Sequence, residues 1–196
     1  MNDKELEQIS CAHLVGKALG WSLQLSDELV QRALSVQRRS AQQPTVSRLQ
    51  QRVYEALRGM SQQPQLEALT DDGLFSIDIT LPACTQKGHP KVAVEVDGPQ
   101  HFTSSGGKTG STQLRDFLLV QRGWRIISLP YFAINAASTE TELNEYLAGA
   151  LLQCRFPSLG LCLAAAVTSG PASPVSKLQA ARRFPCDIRA SKGGRG

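Results

Sequence analysis

The sequence predicts an α/β protein with a small mixed sheet and flanking helices, preceded by α-helices and followed by a disordered basic tail. Apolar residues recur at helical spacing in the first sixty positions, and they alternate with polar residues between residues 73 and 97. Beyond residue 155, Pro, Gly, Ser and Ala dominate without sustained periodicity. The chain is therefore predicted to divide into an N-terminal helical segment at residues 1–46, an α/β domain at 47–153 and a low-complexity tail at 154–196.

Three helices are predicted before the sheet. An apolar stripe predicts the first over residues 3–20, and Gly20 supplies its end. Ser26 is a start signal for the second helix, and Ser47 caps the third. The first two helices are compatible with the end of a helical repeat array, but residues 1–60 contain no internal repeat of fixed period, so that assignment stays open.

Two strands follow, and about eight residues connect them, which favours an antiparallel pair. The aliphatic face of the first strand is predicted to hold Phe75, Ile77, Ile79 and Leu81, and that of the second Val92, Val94 and Val96. The opposite face is predicted to hold Ser76, Asp78 and Thr80 in the first strand and Ala93, Glu95 and Asp97 in the second.

A strand-helix-strand unit completes the predicted sheet. A helix over residues 112–122 ends at Gly123, and residues 124–131 form a further strand. This order predicts a right-handed parallel crossover from the strand at residues 91–97. A last helix opens at Ser138 or Thr139, where acids follow in the first turn.

Charge is unevenly distributed along the chain. Residues 155–196 hold seven Lys or Arg against one Asp, a net charge of +6, so residues 1–154 carry −2 of the total of +4. A basic tail on a mildly acidic body favours non-specific attraction to polyanions, because Lys and Arg displace counterions from phosphates. A solubilising C-terminus with no partner is the alternative.

Composition excludes several classes of protein. The five cysteines are scattered and form no CxxC pair, so neither a disulfide framework nor a zinc site is predicted. No apolar run approaches the length of about 18 residues that a membrane span needs. The N-terminus is acidic, unlike a mitochondrial or plastid transit peptide, so no targeting signal is visible.

Three carboxylates are predicted to share one face of the strand pair. Asp78, Glu95 and Asp97 all lie opposite the aliphatic residues, so their side chains can converge. Like charges brought together repel, and a cation, an Arg or water must compensate them. Because Mg²⁺ favours one or two carboxylates together with substrate phosphate oxygens, these three residues are candidate metal ligands.

Eleven contiguous residues, Val92 to Phe102, are similar to the core signature of RAP domains. Downstream, Thr109–Thr112, Leu114-Arg115, Leu118-Leu119, Arg122-Gly123-Trp124 and Ile127–Tyr131 agree with that domain in order and spacing. Residues 47–152 therefore resemble a RAP domain, a small α/β module of the restriction-endonuclease-like class. So long a match is far more specific than a short motif.

The resemblance implies a relationship to PD-(D/E)XK nucleases, in which an Asp on one strand and an acid-x-Lys on the next bind metal and activate water. Asp78 and Glu95 match the acids, whereas Asp97 occupies the Lys position, which puts hydrolysis in doubt. Lys108 or Arg115 could replace the Lys, and His101 could transfer protons. His101 and Lys108 are thus the catalytic candidates, with Mg²⁺ or Mn²⁺ as the cofactor, while a hydrogen-bonded structural role is the alternative for His101.

The resemblance also implies a role in RNA metabolism. RAP domains occur in chloroplast and mitochondrial proteins that control transcript processing, stability and translation, so single-stranded organellar transcripts or rRNA, and other RNA-processing proteins, are the expected partners. Candidate RNA contacts are Lys108, Arg115, Arg122 and Tyr131. A solvated helix face is the alternative for Arg115 and Arg122, and a core or sheet-edge position is the alternative for Tyr131.

Three hypotheses about function remain at this stage. The first is an RNA-binding module that requires no cofactor. The second is a metal-dependent endoribonuclease, and the third is an inactive protein-interaction domain.

Overall fold

A computed structural model describes residues 1–82 and 91–155 of the chain. Its helices and strands follow in the order α1 (Asp3–Leu19), α2 (Asp27–Ala41), α3 (Arg48–Gly59), β1 (Gln65–Leu69), β2 (Ser76–Leu81), β3 (Lys91–Asp97), α4 (Gly110–Gln121), β4 (Trp124–Pro130), α5 (Tyr131–Ala136) and α6 (Glu140–Arg155). A short 3₁₀ turn at Pro99–His101 follows β3. The predicted mixed α/β class with preceding helices is confirmed. Except for the end of α6, the predicted tail lies outside the described residues.

The first three helices begin where the sequence predicted. Asn2 and Ser47 close capping boxes with the residues three positions later, and the Ser26 side chain caps α2. Gly20 adopts a left-handed conformation (φ 72°) and ends α1, a geometry that costs glycine little. None of the helices within the described residues is long and apolar enough to span a membrane.

The four strands form one sheet in the order β1-β2-β3-β4. β2 pairs with its neighbours β1 and β3 antiparallel, while β3 and β4 pair in parallel across the α4 crossover. Both predicted pairings are therefore confirmed. β1 and α5 were not predicted, because β1 lies in a polar stretch that contains Pro64 and α5 follows directly from the end of β4.

Helices cover both faces of the sheet and bury two clusters of apolar side chains. The larger cluster joins α3, α5 and α6 to the strands through residues such as Leu57, Ile79, Val94, Leu129 and Leu147. The smaller one joins α1 and α4 to the sheet through residues such as Leu14, Ile77, Ala93, Leu118 and Trp124. Residues of β3 and β4 alternate between the two clusters, as expected for a sheet covered on both faces.

The predicted aliphatic face of β2 is wrong at one end. Ile79 and Leu81 join the larger cluster, but Phe75 and Ile77 join the smaller one on the α4 side. The change falls at Asp78, and the paired register of β2 with β3 runs only from Ile79 to Leu81. The regular two-residue alternation is therefore interrupted at one of the predicted site residues.

Candidate functional site: an acidic pocket closed by Arg115

A pocket with a volume of about 240 Å³ opens where β2 leaves β3. Strands β1, β2 and β3, helices α3 and α4, the 3₁₀ turn and the α2–α3 connection all contribute to its wall. The lining residues are Pro44, Thr45, Gln50, Glu67, Ser76, Asp78, Glu95, Asp97, His101 and Arg115. Asp78, Glu95, Asp97, His101 and Arg115, all predicted from the sequence, thus meet around one cavity.

Asp78 marks the point where β2 separates from β3. Its Oδ2 accepts a hydrogen bond of 2.7 Å from the Val96 amide, so a side-chain acceptor replaces part of the regular strand ladder. Burial raises the pKa of Asp78, and the Val96 amide and the Arg115 charge oppose that effect. The arrangement directs this carboxyl group into the pocket and explains the interrupted alternation of β2.

Glu95 and Arg115, which both line the pocket, form a buried ion pair. Arg115 Nη2 lies 2.9 Å from Glu95 Oε2 and 3.2 Å from Oε1, Arg115 Nε lies 3.2 Å from Oε2, and Nη2 also donates to the Ser76 carbonyl. Burial, with the nearby Asp78 charge, raises the pKa of Glu95 to about 8 although Arg115 opposes the rise. Burial alone would lower the pKa of Arg115, but Glu95 raises it. Each group is thus held in a poorly solvated position by the other.

Asp97 is bound by a second cation, from the loop before α4. Its Oδ2 lies 3.0 Å from Lys108 Nζ and accepts a hydrogen bond from the Ser128 hydroxyl. Lys108 Nζ also lies 2.6 Å from Asp116 Oδ2. Burial alone would lower the pKa of Lys108, but the hydrogen bond to Asp116 and the charge of Asp97 raise it. Lys108 therefore neutralises Asp97 from outside the residues that line the pocket.

His101 lies at the rim of the pocket. Its Nδ1 is 3.0 Å from the Thr112 hydroxyl and 4.0 Å from Asp97 Oδ1. The contact with buried Thr112 on α4 fixes the orientation of the ring, which agrees with the structural alternative for this residue. The proposed role in proton transfer stays a prediction.

Glu67 is a site residue that the sequence did not indicate. Its carboxylate accepts hydrogen bonds from Gln50 Nε2 at 3.0 Å and from Ser76 Oγ at 2.6 Å. Its backbone is left-handed (φ 50°), an unfavourable conformation for a residue with a side chain and one found more often at functional sites. Because β1 was not predicted, no pattern placed this acid beside the other strands.

The predicted metal ligands do not fit a metal ion in this arrangement. Within residues 1–82 and 91–155, no three His, Cys, Asp or Glu side chains are grouped so that they could hold one. Both oxygens of Glu95 bind Arg115, and Oδ2 of Asp97 binds Lys108 and Ser128. Mg²⁺ needs oxygen ligands at about 2.0–2.1 Å in octahedral geometry, and the Arg115 guanidinium already contacts both oxygens of Glu95.

Arg122, a candidate RNA contact, lies outside the pocket. Its Nε donates to Asp72 Oδ2 at 2.8 Å, its Nη1 donates to the Leu118 carbonyl at 2.9 Å, and its guanidinium stacks 4.8 Å from the Phe75 ring centroid. These contacts fasten the end of α4 to the turn before β2. The structure thus assigns Arg122 a packing role.

Tyr131 belongs to a group of three half-buried aromatic rings at the end of β4. Phe102, Tyr131 and Phe132 contact one another with ring centroids 5.4–6.0 Å apart. The group lies close to the pocket, because β4 pairs Pro130 with Asp97 at the end of β3. We call Phe102, Tyr131 and Phe132 the aromatic trio.

Comparison with known proteins adds a family to this geometry. Residues 94–149 match the family model described as the RAP domain, while a search of curated proteins found no match. The matched segment runs from β3 into α6, so it includes Glu95, Asp97, His101 and Arg115 of the pocket and the whole aromatic trio. RAP domains are generally associated with RNA binding. Residues 94–149 of the chain are therefore similar to a RAP domain.

Proposed function

We propose that this protein is an RNA-binding module of a factor that acts in RNA processing, stability or translation in chloroplasts or mitochondria. The observation that carries the proposal is the RAP domain match, which covers one wall of the pocket and the aromatic trio. Single-stranded transcripts or rRNA are the proposed ligands, and other RNA-processing proteins are proposed partners. Imaging of the tagged natural protein in cells would test the organelle, and an exclusively cytosolic signal would contradict it.

The cations predicted to contact RNA are already paired within the protein. Arg115 binds Glu95, Arg122 binds Asp72, and Lys108 binds both Asp97 and Asp116. A phosphate would have to displace these carboxylates, which costs free energy because the displaced charges lose their partners. We therefore propose that the aromatic trio supplies contacts to bases and that the basic residues of the C-terminal segment supply most contacts to phosphates.

A comparison of the full chain with residues 1–154 tests this division. We expect the full chain to bind single-stranded RNA much more tightly at low salt, because residues 155–196 carry a net charge of +6. If about four of these cations contact phosphates, the slope of log affinity against log salt should become shallower by about 3 in the shortened chain. Fluorescence anisotropy with a labelled oligonucleotide measures both. Equal slopes would show that the folded body makes the phosphate contacts.

Replacement of Tyr131 by leucine tests the aromatic trio. Stacking on an aromatic ring contributes about 1–3 kcal/mol per base, so Y131L should weaken binding to single-stranded RNA about tenfold. Tyr54 on α3 packs against the larger core cluster, far along the chain from the trio, so Y54L is the matched aromatic control. Anisotropy at moderate salt measures the difference. Equal affinity of Y131L and the natural protein would remove the trio from the interface.

The metal-dependent endoribonuclease is the weaker of the two RNA-directed proposals. The acids that would bind the metal are held by Arg115 and Lys108, and Asp97 stands where such nucleases carry Lys. Incubation of labelled RNA with the protein and Mg²⁺ or Mn²⁺ should leave the RNA intact. Cleavage by the natural protein that is lost in D78A would establish the nuclease instead.

A further inference from the structure

The oxygen atoms around Arg115 have the character of a cation site. Three of them surround the single nitrogen Nη2, namely both carboxylate oxygens of Glu95 and the backbone carbonyl oxygen of Ser76. A second acid, Asp78, lies close enough to interact electrostatically with the guanidinium. Carboxylate and carbonyl oxygens are the ligands that hard divalent cations prefer. In this protein the positive charge among these oxygens is the guanidinium of Arg115.

Arg115 lies on the face of α4 that packs against the sheet. Leu118 and Leu119 are fully buried under the sheet, and Thr112 is buried one turn before Arg115. Residues three and four positions apart share one face of a helix, so Arg115 must also point inward. Its side chain is only 29% exposed, so it is not a surface residue that happens to lie nearby.

We propose that the Arg115 guanidinium takes the place of a divalent cation in this pocket, so that the native protein excludes such ions and removal of the guanidinium creates a site for them. Glu95 and the Ser76 carbonyl would then ligate Mn²⁺ or Mg²⁺, with Asp78 and water completing the shell. The inference does not depend on RNA binding, because it concerns the free protein.

The test compares variants at position 115 without RNA. Manganese binding is measured from the electron paramagnetic resonance signal of free Mn²⁺, and stability from thermal unfolding with and without Mn²⁺. We expect the natural protein to show neither binding nor stabilisation. R115A and R115M should bind Mn²⁺ and unfold at a temperature about 5 °C higher in its presence.

Three controls separate this site from general attraction of cations to acids. R115K keeps a positive charge among the oxygens and should remain unable to bind Mn²⁺. R122A removes the arginine that follows the end of the same helix, outside the pocket, and should not gain binding either. In R115A combined with E95Q, the gain should disappear because the main ligand is gone.

Two outcomes would overturn the proposal. The first is binding of Mn²⁺ by the natural protein that is lost in E95Q, which would make the pocket a native metal site. The second is a folded R115A or R115M that binds no Mn²⁺. If both variants are unfolded without metal, recovery of a cooperative thermal transition on addition of Mn²⁺ supports the proposal, and failure to recover it contradicts the proposal.

Discussion

Replacement of Arg115 by alanine should lower the free energy of unfolding by about 3 kcal/mol at neutral pH. The guanidinium makes three hydrogen-bonding contacts to Glu95 and one to the Ser76 carbonyl, and Glu95 is only 5% exposed. Removal of one partner from a buried pair costs about 3–5 kcal/mol, because the remaining charge or polar group is left without its partner. Because the pKa of Glu95 is already raised to about 8, the carboxyl group left behind is largely neutral at pH 7, so the lower end of that range is expected.

Urea unfolding of R115A measures this loss, and a surface ion pair provides the matched control. Arg58 and Glu55 on α3 lie 3.4 Å apart with both side chains at least half exposed, so R58A should change stability by about 0.5 kcal/mol or less. The double variant R115A/E95Q should lose less than the sum of the single losses, because both substitutions remove the same interaction. Equal effects of R115A and R58A would show that the Glu95 pair contributes no more than a surface contact.

Most of the fold could be predicted because local patterns and tertiary packing agree. Helices α1, α2 and α3 start at capping residues, and β3 alternates strictly between the two faces of the sheet. β1 could not be predicted from the sequence, because it is an edge strand that pairs on one side only. Its polar residues need not alternate with buried ones. The short α5 has no capping side-chain hydrogen bond at its start, and the predicted strand continued through Pro130 to residue 131, the first residue of α5.

The sequence predicted the pocket residues Asp78, Glu95, Asp97, His101 and Arg115, but it predicted neither Glu67 nor the pairing of these side chains. The two-residue alternation of the strands placed Asp78 and Glu95 on the same side of the sheet. The alternation of β2 nevertheless changes face at Asp78, where a hydrogen bond from the Val96 amide to the Asp78 side chain replaces part of the strand pairing. The pairing of Arg115 with Glu95 joins residues 20 positions apart through a crossover, so no local pattern shows it. The spacing of Arg115 from buried Leu118 and Leu119 was a usable signal that the arginine faces the sheet.

Stability should fall as the pH rises from about 4.5 to about 8, and Glu95 should account for much of the change. The pKa of Glu95 is raised to about 8 in the folded protein from an ordinary value of 4.5. Below pH 4.5 the group is protonated in both states and stability is unaffected. Between the two values the unfolded chain releases its proton while the folded chain keeps it, so rising pH favours unfolding. At pH values above the pKa of Glu95 in the folded protein, the decrease in the free energy of unfolding is complete, at roughly 3–5 kcal/mol.

The isosteric variant E95Q should flatten this dependence, because glutamine does not titrate and still accepts a hydrogen bond from Arg115. The exposed acid Glu55 on α3 provides the control, since E55Q should leave the pH dependence of the natural protein unchanged. Urea unfolding across the range from pH 5 to pH 9 measures all three proteins. If the natural protein instead gains stability as the pH rises and E95Q abolishes that gain, attraction to Arg115 outweighs burial. The pair would then be ionised at neutral pH, and the pKa of Glu95 would lie below its ordinary value.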